Sequence, residues 1–280
     1  MSGFSAAWLS LREAIDHRSR NGELAGRLAG AFARRASLSV VDLGCGTGSN
    51  LRATAPLLGL RQSWTLVDHD PALLAAARER LSDWADRVER AHDALVLSHG
   101  ERRLTVRFRE ADLNRDLGLA LGESPDLVTA SAFFDLASVA FIERLAEATA
   151  ARRAAFFTVL TYNGRQGWTP AHSNDGAMAE AFHAHQMTDK GLGKAAGPHA
   201  PAALAAAFRR HGYTISEGDS PWLIGAHDAA LLAELAPGFA GAVAATRAVA
   251  EGTIESWRAL GRTGAMVGHT DTLALPPAAR

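Results

Sequence analysis

One seven-residue segment limits the fold more than any other part of this 280-residue chain. Residues 42–48 read DLGCGTG; they end an apolar run at 37–43 and precede a predicted helix over about 49–60. An apolar run that ends in closely spaced glycines predicts a buried parallel strand, a tight turn and a helix. Such a turn brings bare backbone and the amino end of a helix close to a ligand. The segment therefore predicts a site for a nucleotide-like cofactor.

The alternation of strands and helices continues along the chain. Apolar residues at helical spacing predict two helices within residues 1–35, before the first strand. Further strands are predicted at 64–67, 104–112, 127–130 and 154–161, with a hairpin arm at 94–98 and helices at 71–88 and 138–150. Strands that alternate with helices in this way predict a parallel sheet with helices on both faces.

The pattern changes after the fifth predicted strand. Residues 162–200 hold six glycines and four of the eleven histidines, and they predict an insertion with little regular structure beyond a helix near 177–186. A helix at 201–210, a strand at 213–224, two helices split at Pro237 and a last strand at 266–274 then complete a seven-stranded sheet. We expect a single α/β domain over 1–280, divided into N-terminal helices (1–35), a cofactor-binding core (36–161), a substrate lid (162–200) and the C-terminal half of the sheet (201–280).

Amino-acid composition limits the kinds of molecule that this chain is expected to bind. With 29 basic and 30 acidic residues the net charge is -1, which gives no overall positive field to attract nucleic acid or an anionic membrane. The single cysteine, Cys45, excludes an internal disulfide, and no basic stretch leads into an apolar run of signal or membrane-spanning length near the N-terminus. We expect a cytoplasmic protein with a small-molecule substrate and no nucleic-acid or membrane partner. The sequence leaves the oligomeric state open.

The glycine spacing decides between two cofactors. A dinucleotide fingerprint needs a glycine or alanine three residues after its second glycine, where this chain has Ser49 or Leu51. Residues 41–48 instead resemble motif I of the class I S-adenosylmethionine (SAM)-dependent methyltransferases, including the acidic residue two before the first glycine. Residues 66–68, LVD, resemble motif II of that family. A nucleotide-dependent oxidoreductase and a non-catalytic SAM-binding protein remain the alternatives.

The resemblance implies a Rossmann-like fold, SAM as cofactor and methyl transfer as the reaction. In that family the glycine loop wraps the methionine part of SAM, the acid after strand two accepts the ribose hydroxyls, and an acid after strand three accepts from the adenine amino group. The implied cofactor contacts in this chain are Asp42, Gly44, Cys45, Gly46, Gly48, Asp68, His69, Asp112, Leu113 and Ser131. A tight strand–helix turn at the glycines and a helix cap at Asp112 are the structural alternatives.

The segment after strand four is expected beside the reacting methyl group. Its aromatic rings, Phe134 among them, are predicted to shape the methyl pocket, and Asp135 is the one carboxylate close to that strand. The Asn/Asp-Pro-Pro-aromatic motif of nucleic-acid amino-methyltransferases is missing here, as is the double-glutamate loop of arginine methyltransferases. The expected acceptor is therefore an oxygen or nitrogen atom of a small molecule.

The insertion supplies the other candidate residues. Tyr162 and His185 are predicted catalytic groups, and Arg165 and Lys190 are predicted to bind an anionic substrate. An ordered surface loop is the alternative. His172, Asp175, His183 and His185 fit no standard zinc spacing, so no metal site is expected.

Overall fold

A ten-stranded mixed sheet forms the centre of the fold. The structure, a computed structural model, describes residues 4–278. The strands are β1 (Leu38–Leu43), β2 (Arg61–Asp68), β3 (Arg87–Ala91), β4 (Ala94–His99), β5 (Arg102–Glu110), β6 (Leu127–Ser131), β7 (Ala155–Thr169), β8 (Thr214–Asp219), β9 (Trp222–Ile224) and β10 (Gly264–Leu275). Their order is β3-β4-β5-β2-β1-β6-β7-β10-β8, and β9 also pairs with β10.

Ten α-helices are found among the described residues, and they cover both faces of the sheet. They are α1 (Ala6–Ser19), α2 (Gly22–Phe32), α3 (Ser49–Thr54), α4 (Pro71–Trp84), α5 (Leu113–Leu121), α6 (Val139–Ala151), α7 (Asp175–Gln186), α8 (Ala200–Arg210), α9 (Ala229–Thr246) and α10 (Glu251–Ala259). Helices α1 and α2 confirm the predicted N-terminal pair, with the side chain of Asn21 capping α2.

The five central strands are parallel, which confirms the predicted Rossmann-like class. Leu43 at the end of β1 pairs with Val67 on one side and Ala130 on the other, so the carboxyl ends of β1, β2 and β6 meet at one edge of the sheet. Ligands of open α/β sheets bind at this edge. Beyond β7 the pairing is antiparallel: β10 pairs with β7, and β8 and β9 both pair with β10.

The predicted count of seven strands was wrong because two regions add strands. The hairpin β3–β4 extends the sheet beyond β5, and Val88, predicted on a helix face, lies in β3. The single strand predicted at 213–224 is interrupted before Pro221, which has no backbone N–H to donate to a ladder, and becomes β8 and β9.

The insertion is more regular than predicted. Strand β7 continues to Thr169 because β10 pairs with it along its length, from Ala274 opposite Phe156 to Gly264 opposite Thr169. The predicted break at Pro237 is also wrong, since α9 runs through this residue. The carbonyl of Ala233, which loses its helical donor there, belongs to an exposed residue and can bind water.

Two apolar layers hold the sheet. Successive β1 residues point to opposite faces, so Val40 packs into one cluster with helices α2, α4 and α9 while Val41 packs into the other with α5, α6 and α8. Helix α9 belongs to a stretch, Ala226–Thr246, that is long and apolar enough to cross a membrane. Its packed side chains include Leu231, Leu232 and Phe239.

Candidate cofactor and acceptor site

The loop between β1 and α3 requires its glycines. Gly44, Gly46 and Gly48 have φ of +62°, +51° and +76°, the left-handed region that side chains disfavour. Their neighbours also leave little room. A Cβ on Gly44 would lie 2.6 Å from the Phe133 ring, and one on Gly46 would lie 2.9 Å from Leu9. The loop is thus a bare backbone surface enclosed by two apolar side chains.

Asp68 fixes this loop to the end of β2. Its carboxylate accepts hydrogen bonds from the backbone N–H groups of Gly46 (2.9 Å) and Asp70 (3.0 Å), and the residue is only 5% exposed. The N–H of Cys45 donates to the Val67 carbonyl at 3.0 Å. His69 lies beside this carboxylate, with Nδ1 3.4 Å from an Asp68 oxygen and half of its side chain exposed. The predicted ribose carboxylate therefore also organises the glycine loop.

Asp42 is the most deeply buried acid of the site. One of its oxygens accepts from the Asn50 amide at 2.7 Å, and the other has no partner among residues 4–278. Burial raises the pKa of Asp42 to about 7, against the opposing effect of the Asn50 hydrogen bond. The hydroxyl of Thr47, within the loop, is likewise buried without a partner in the described chain. Buried polar atoms of this kind normally have partners, so both call for a ligand or water.

The adenine-side candidates lie where β5 and β6 end. The N–H of Ala111 donates to the Asp68 carbonyl at 3.0 Å, which brings the ends of β2 and β5 together. Asp112 is exposed and caps α5 through Asn114, while Leu113 is buried and Ser131 is half-buried. The cap role and a ligand role are compatible, because a carboxylate can accept several hydrogen bonds.

Helix α1 lies across the glycine loop, a feature that the sequence analysis missed. Glu13 makes a two-point ion pair with Arg52 of α3 (2.7 and 2.9 Å), and His17 Nε2 lies 2.8 Å from the Ser49 hydroxyl. Arg20 donates to Asn50 at 3.0 Å. The signal was present in the sequence: Glu13, His17 and Arg20 recur at the spacing of one helix face.

Beyond Phe133 lies a second group of polar side chains. The short helix Phe134–Leu136 buries Asp135, and burial raises the pKa of this carboxyl to about 6. The backbone of Tyr162 opposes that rise by a hydrogen bond to Asp135. The Tyr162 hydroxyl lies 2.9 Å from His183 Nε2. The structure therefore brings Asp135 and Tyr162 together near Phe133, which touches the glycine loop.

Comparison with known proteins decides the class. Residues 40–152, which include the loop, Asp68, Asp112 and Asp135, match the family described as Methyltransferase domain. This segment is a class I SAM-dependent methyltransferase domain. No curated protein matches the chain by sequence.

Solved structures agree with the fold of this methyltransferase. The YcgJ protein from Bacillus subtilis is 11% identical, with a TM-score of 0.54, and the match covers 92% of this chain and 100% of that one. A cyclopropane-fatty-acyl-phospholipid synthase-like protein from Lactobacillus casei is 16% identical (TM-score 0.52; 98% and 95% covered). The cyclopropane synthase MmaA2 from Mycobacterium tuberculosis is 11% identical (TM-score 0.52; 97% and 94% covered). At these identities the likeness shows the fold alone.

The residues present fit SAM, the cofactor of this class. The three left-handed glycines form a cradle that a Cβ would fill, and the unpartnered oxygens of Asp42 and Thr47 lie at the methionine end that the family resemblance assigns to the loop. The carboxylate of Asp68 retains lone pairs for ribose hydroxyls beside its two backbone donors.

A cluster of polar and aromatic residues from α1, β9 and β10 lies close to Asp135. Arg12 is within electrostatic range of both Asp135 and His269, and it pairs with Asp16 at 2.8 Å. Its guanidinium lies 5.0 Å from the centre of the Trp222 ring. His269 is 5% exposed, its Nδ1 has no partner within the described chain, and burial lowers its pKa to about 3. His269 is therefore a neutral imidazole with one free nitrogen.

Other predicted residues lie elsewhere. Phe134 was predicted to shape the methyl pocket, but its ring is fully buried between Phe133 and Phe156 and is not available to a substrate. Arg165 is exposed and pairs with Asp219 at 2.6 Å, so its charge is already compensated at the surface.

The remaining lid candidates lie in the last turn of α7 and just after it. His185 and Lys190 are half-buried and close enough for the lysine charge to lower the pKa of the imidazole, an effect second to burial. The Gly191 carbonyl accepts from the Asn114 amide at 2.6 Å, which places this segment against the start of α5. The catalytic role of His185 and the substrate-binding role of Lys190 stay predictions.

Three of the four histidine and aspartate residues that fit no zinc spacing make other contacts. His172 contacts Ser256, the Trp257 indole donates to Asp175 at 2.7 Å, and His183 contacts Tyr162. Within residues 4–278 there is no group of three or more metal-binding side chains.

Proposed function

We propose that this methyltransferase transfers a methyl group from SAM to an oxygen or nitrogen of a small molecule. The observation that carries the proposal is the pair of Asp135 and Tyr162, two buried polar side chains that adjoin Phe133 and thereby the glycine loop. Buried groups with shifted pKa values at the ligand-binding edge of an α/β sheet are candidates for handling a substrate.

Bound SAM supplies an electrophilic methyl group. The chain's own contribution is to hold the two reactants in line, which supplies much of the acceleration in such a displacement. Gly44, Gly46, Asp42 and Asp68 would hold the cofactor, and α1 would exclude water by covering the loop through Leu9. Asp135 and Tyr162 would orient the acceptor.

Charge and cysteine content support the choice of partner. A net charge of -1 offers no general attraction for nucleic acid or an anionic membrane, and a single cysteine suits a reducing compartment. We therefore keep a cytoplasmic small-molecule enzyme as the proposal.

A mobile cover over the acceptor is the second part of the proposal. Residues 187–194 link α7 to the segment before α8 and carry glycines of positive φ at 191 and 193. Lys190 within this segment would grip an anionic acceptor. Lys190→Ala should then lower turnover and leave the affinity for S-adenosylhomocysteine (SAH) unchanged, as calorimetry and initial rates would show.

The deciding experiment measures cofactor binding first. Calorimetry should show SAH binding to the wild-type chain and none to folded Gly46→Val, because the branched side chain would occupy the cradle already bounded by Leu9. Incubation with methyl-labelled SAM and a small-molecule extract should then transfer label to a low-mass product. Undiminished SAH binding by Gly46→Val would refute the site, and label found only on protein or nucleic acid would refute the acceptor class.

A further inference from the structure

Tyr162 and His183 form a hydrogen-bonded pair that leads from the buried surroundings of Asp135 toward the surface. The tyrosine is 5% exposed, whereas His183 is half-buried, and the phenol oxygen lies 2.9 Å from Nε2 of the imidazole. On the inner side, the Tyr162 ring lies 6.3 Å from that of His269, whose Nδ1 has no partner in residues 4–278. A buried ring nitrogen of this kind needs a polar partner, which a polar group of a ligand or a water molecule can supply.

Neither member of the pair is charged at neutral pH in the resting site. Burial and the nearby Asp135 both raise the pKa of Tyr162, so the phenol keeps its proton. Burial, followed by the neighbouring His199, lowers the pKa of His183, against the opposing effects of the Gly164 carbonyl and Glu180. A protonated phenol beside a neutral imidazole is arranged to pass a proton outward.

We propose that the acceptor is a hydroxyl compound whose proton moves through Tyr162 to His183 as the methyl group is transferred. The inference rests on the proposed function. The acceptor oxygen forms a bond to the methyl carbon while the bond from that carbon to sulfur breaks and leaves its electron pair on sulfur. The hydroxyl proton passes to the Tyr162 oxygen, and the phenol proton passes to His183 Nε2. The products are a methyl ether, neutral SAH and an imidazolium that can lose its proton to solvent.

This arrangement favours a hydroxyl over the other acceptors. A carboxylate has no proton to lose, and a neutral amine attacks first and loses its proton afterwards, so neither needs a buried relay. A hydroxyl is a poor nucleophile unless a base takes its proton in the transition state. His269 would hold a second polar group of the same molecule.

The first test determines the protonation state of His183 in the absence of an acceptor. Nitrogen-15 spectra of the histidine rings, recorded on the SAH complex at pH 7.5, should show His183 neutral with its proton on Nδ1, because Nε2 accepts from Tyr162. Tyr162→Phe should shift the His183 Nε2 resonance. A proton on Nε2, or an imidazolium, would overturn the relay. Failure of the wild-type chain to bind SAH would instead refute the proposed function.

The second test uses catechol, aniline and benzoate as probe acceptors with methyl-labelled SAM. Only the hydroxyl probe should be methylated, and Tyr162→Phe and His183→Gln should each lower kcat about 10²-fold or more while the SAH dissociation constant stays within about twofold. The matched controls are Tyr213→Phe, whose hydroxyl donates to the Ala154 carbonyl, and His227→Gln, at an exposed site.

The pH profile separates a relay from a structural role. The wild-type rate should rise with pH, with an apparent pKa below 6.5, and then stay level. His183→Gln should lose this pH-dependent rise. Buried Asp135, with a pKa of about 6, would leave a rise in His183→Gln if it were the base instead. A pH-dependent rise that remains in His183→Gln would contradict the proposal. So would methylation of aniline or benzoate alone, and so would loss of the rise in His185→Gln but not in His183→Gln.

Discussion

At the scale of single residues, Asp68 combines two roles. The carboxylate holds the glycine loop through the N–H of Gly46, and it remains available to the ribose hydroxyls that the family resemblance assigns to it. Removing the side chain would disturb both roles at once. An amide of the same shape keeps an acceptor oxygen and removes the charge, so it isolates the charge-assisted part of binding.

Asp68→Asn should weaken SAH binding about ten- to a hundredfold, since charge-assisted hydrogen bonds contribute about 1.5 to 3 kcal/mol. Titration calorimetry measures the change. Asp70→Asn is the matched control, because Asp70 caps α4 and asparagine caps a helix equally well. Equal affinities for both variants and the wild type would exclude Asp68 from the cofactor site.

Buried His269 affects the stability of the fold in acid. Its pKa is lowered to about 3 in the fold and is about 6.5 in an unfolded chain. Between these values the unfolded chain binds a proton that the folded chain does not, so the stabilisation is complete above pH 6.5 and is lost as pH falls toward 3. Asp42 and Asp135, whose pKa values are raised, act in the opposite direction over about pH 4 to 7.

His269→Gln should therefore lose less stability on acidification than the wild type. Each pH unit below 6.5 costs the wild type about 1.4 kcal/mol through this group, so the difference between the two proteins in free energy of unfolding should change by about 3 kcal/mol from pH 7 to pH 4. Denaturant unfolding at pH 7 and pH 4 measures this difference. The contributions of Asp42 and Asp135 cancel in the comparison, because the wild type and the variant both carry these residues. Parallel stability curves would contradict a neutral buried His269.

At the scale of elements, α1 is attached to the cofactor loop by polar contacts. Its Glu13 neutralises Arg52, whose side chain is only 7% exposed, and Arg52 also donates to the Thr47 carbonyl of the loop at 2.9 Å. Leu9 of the same helix touches Gly46. The N-terminal helix thus forms one wall of the cofactor site.

Glu13→Gln should lower the free energy of unfolding by about 2 to 3 kcal/mol, because it leaves the buried Arg52 charge without its counter-ion. The variant should also bind SAH more weakly, since the wall over the loop is loosened. Glu23→Gln, which breaks an exposed pair with Arg27, should cost less than about 0.5 kcal/mol. Denaturant titrations compare the two. Similar losses for both would mean that α1 is held by its apolar face alone.

At the scale of the whole molecule, basic and acidic side chains nearly balance. Arginines on β5 face acids on the neighbouring hairpin, as in the pairs Arg103 with Glu89 and Arg107 with Asp93. This local pairing compensates two of the β5 arginines, in keeping with the net charge of -1.

The chain should therefore show no retention on DNA or RNA columns at physiological salt. Binding that depends on phosphate contacts falls steeply with salt concentration, so a titration of retention against salt reveals it. A heparin column run in parallel reports general affinity for polyanions. Tight retention on RNA with a steep log–log slope would contradict a small-molecule acceptor.

The sequence by itself determined the cofactor half of this protein. The strand, the three glycines and Asp68 lie within 31 residues, and their conformations follow from local rules: apolar runs in buried strands, glycine at positive φ, and an acid at a strand end. Only the tertiary structure decided the acceptor half. Strand β7 extends to Thr169 because β10, about 100 residues later, pairs with it, and α1 covers the loop through contacts with α3. Tyr162 meets His183 because α7 packs back on β7. Such contacts arise from pairing and burial between distant segments, which no local pattern encodes.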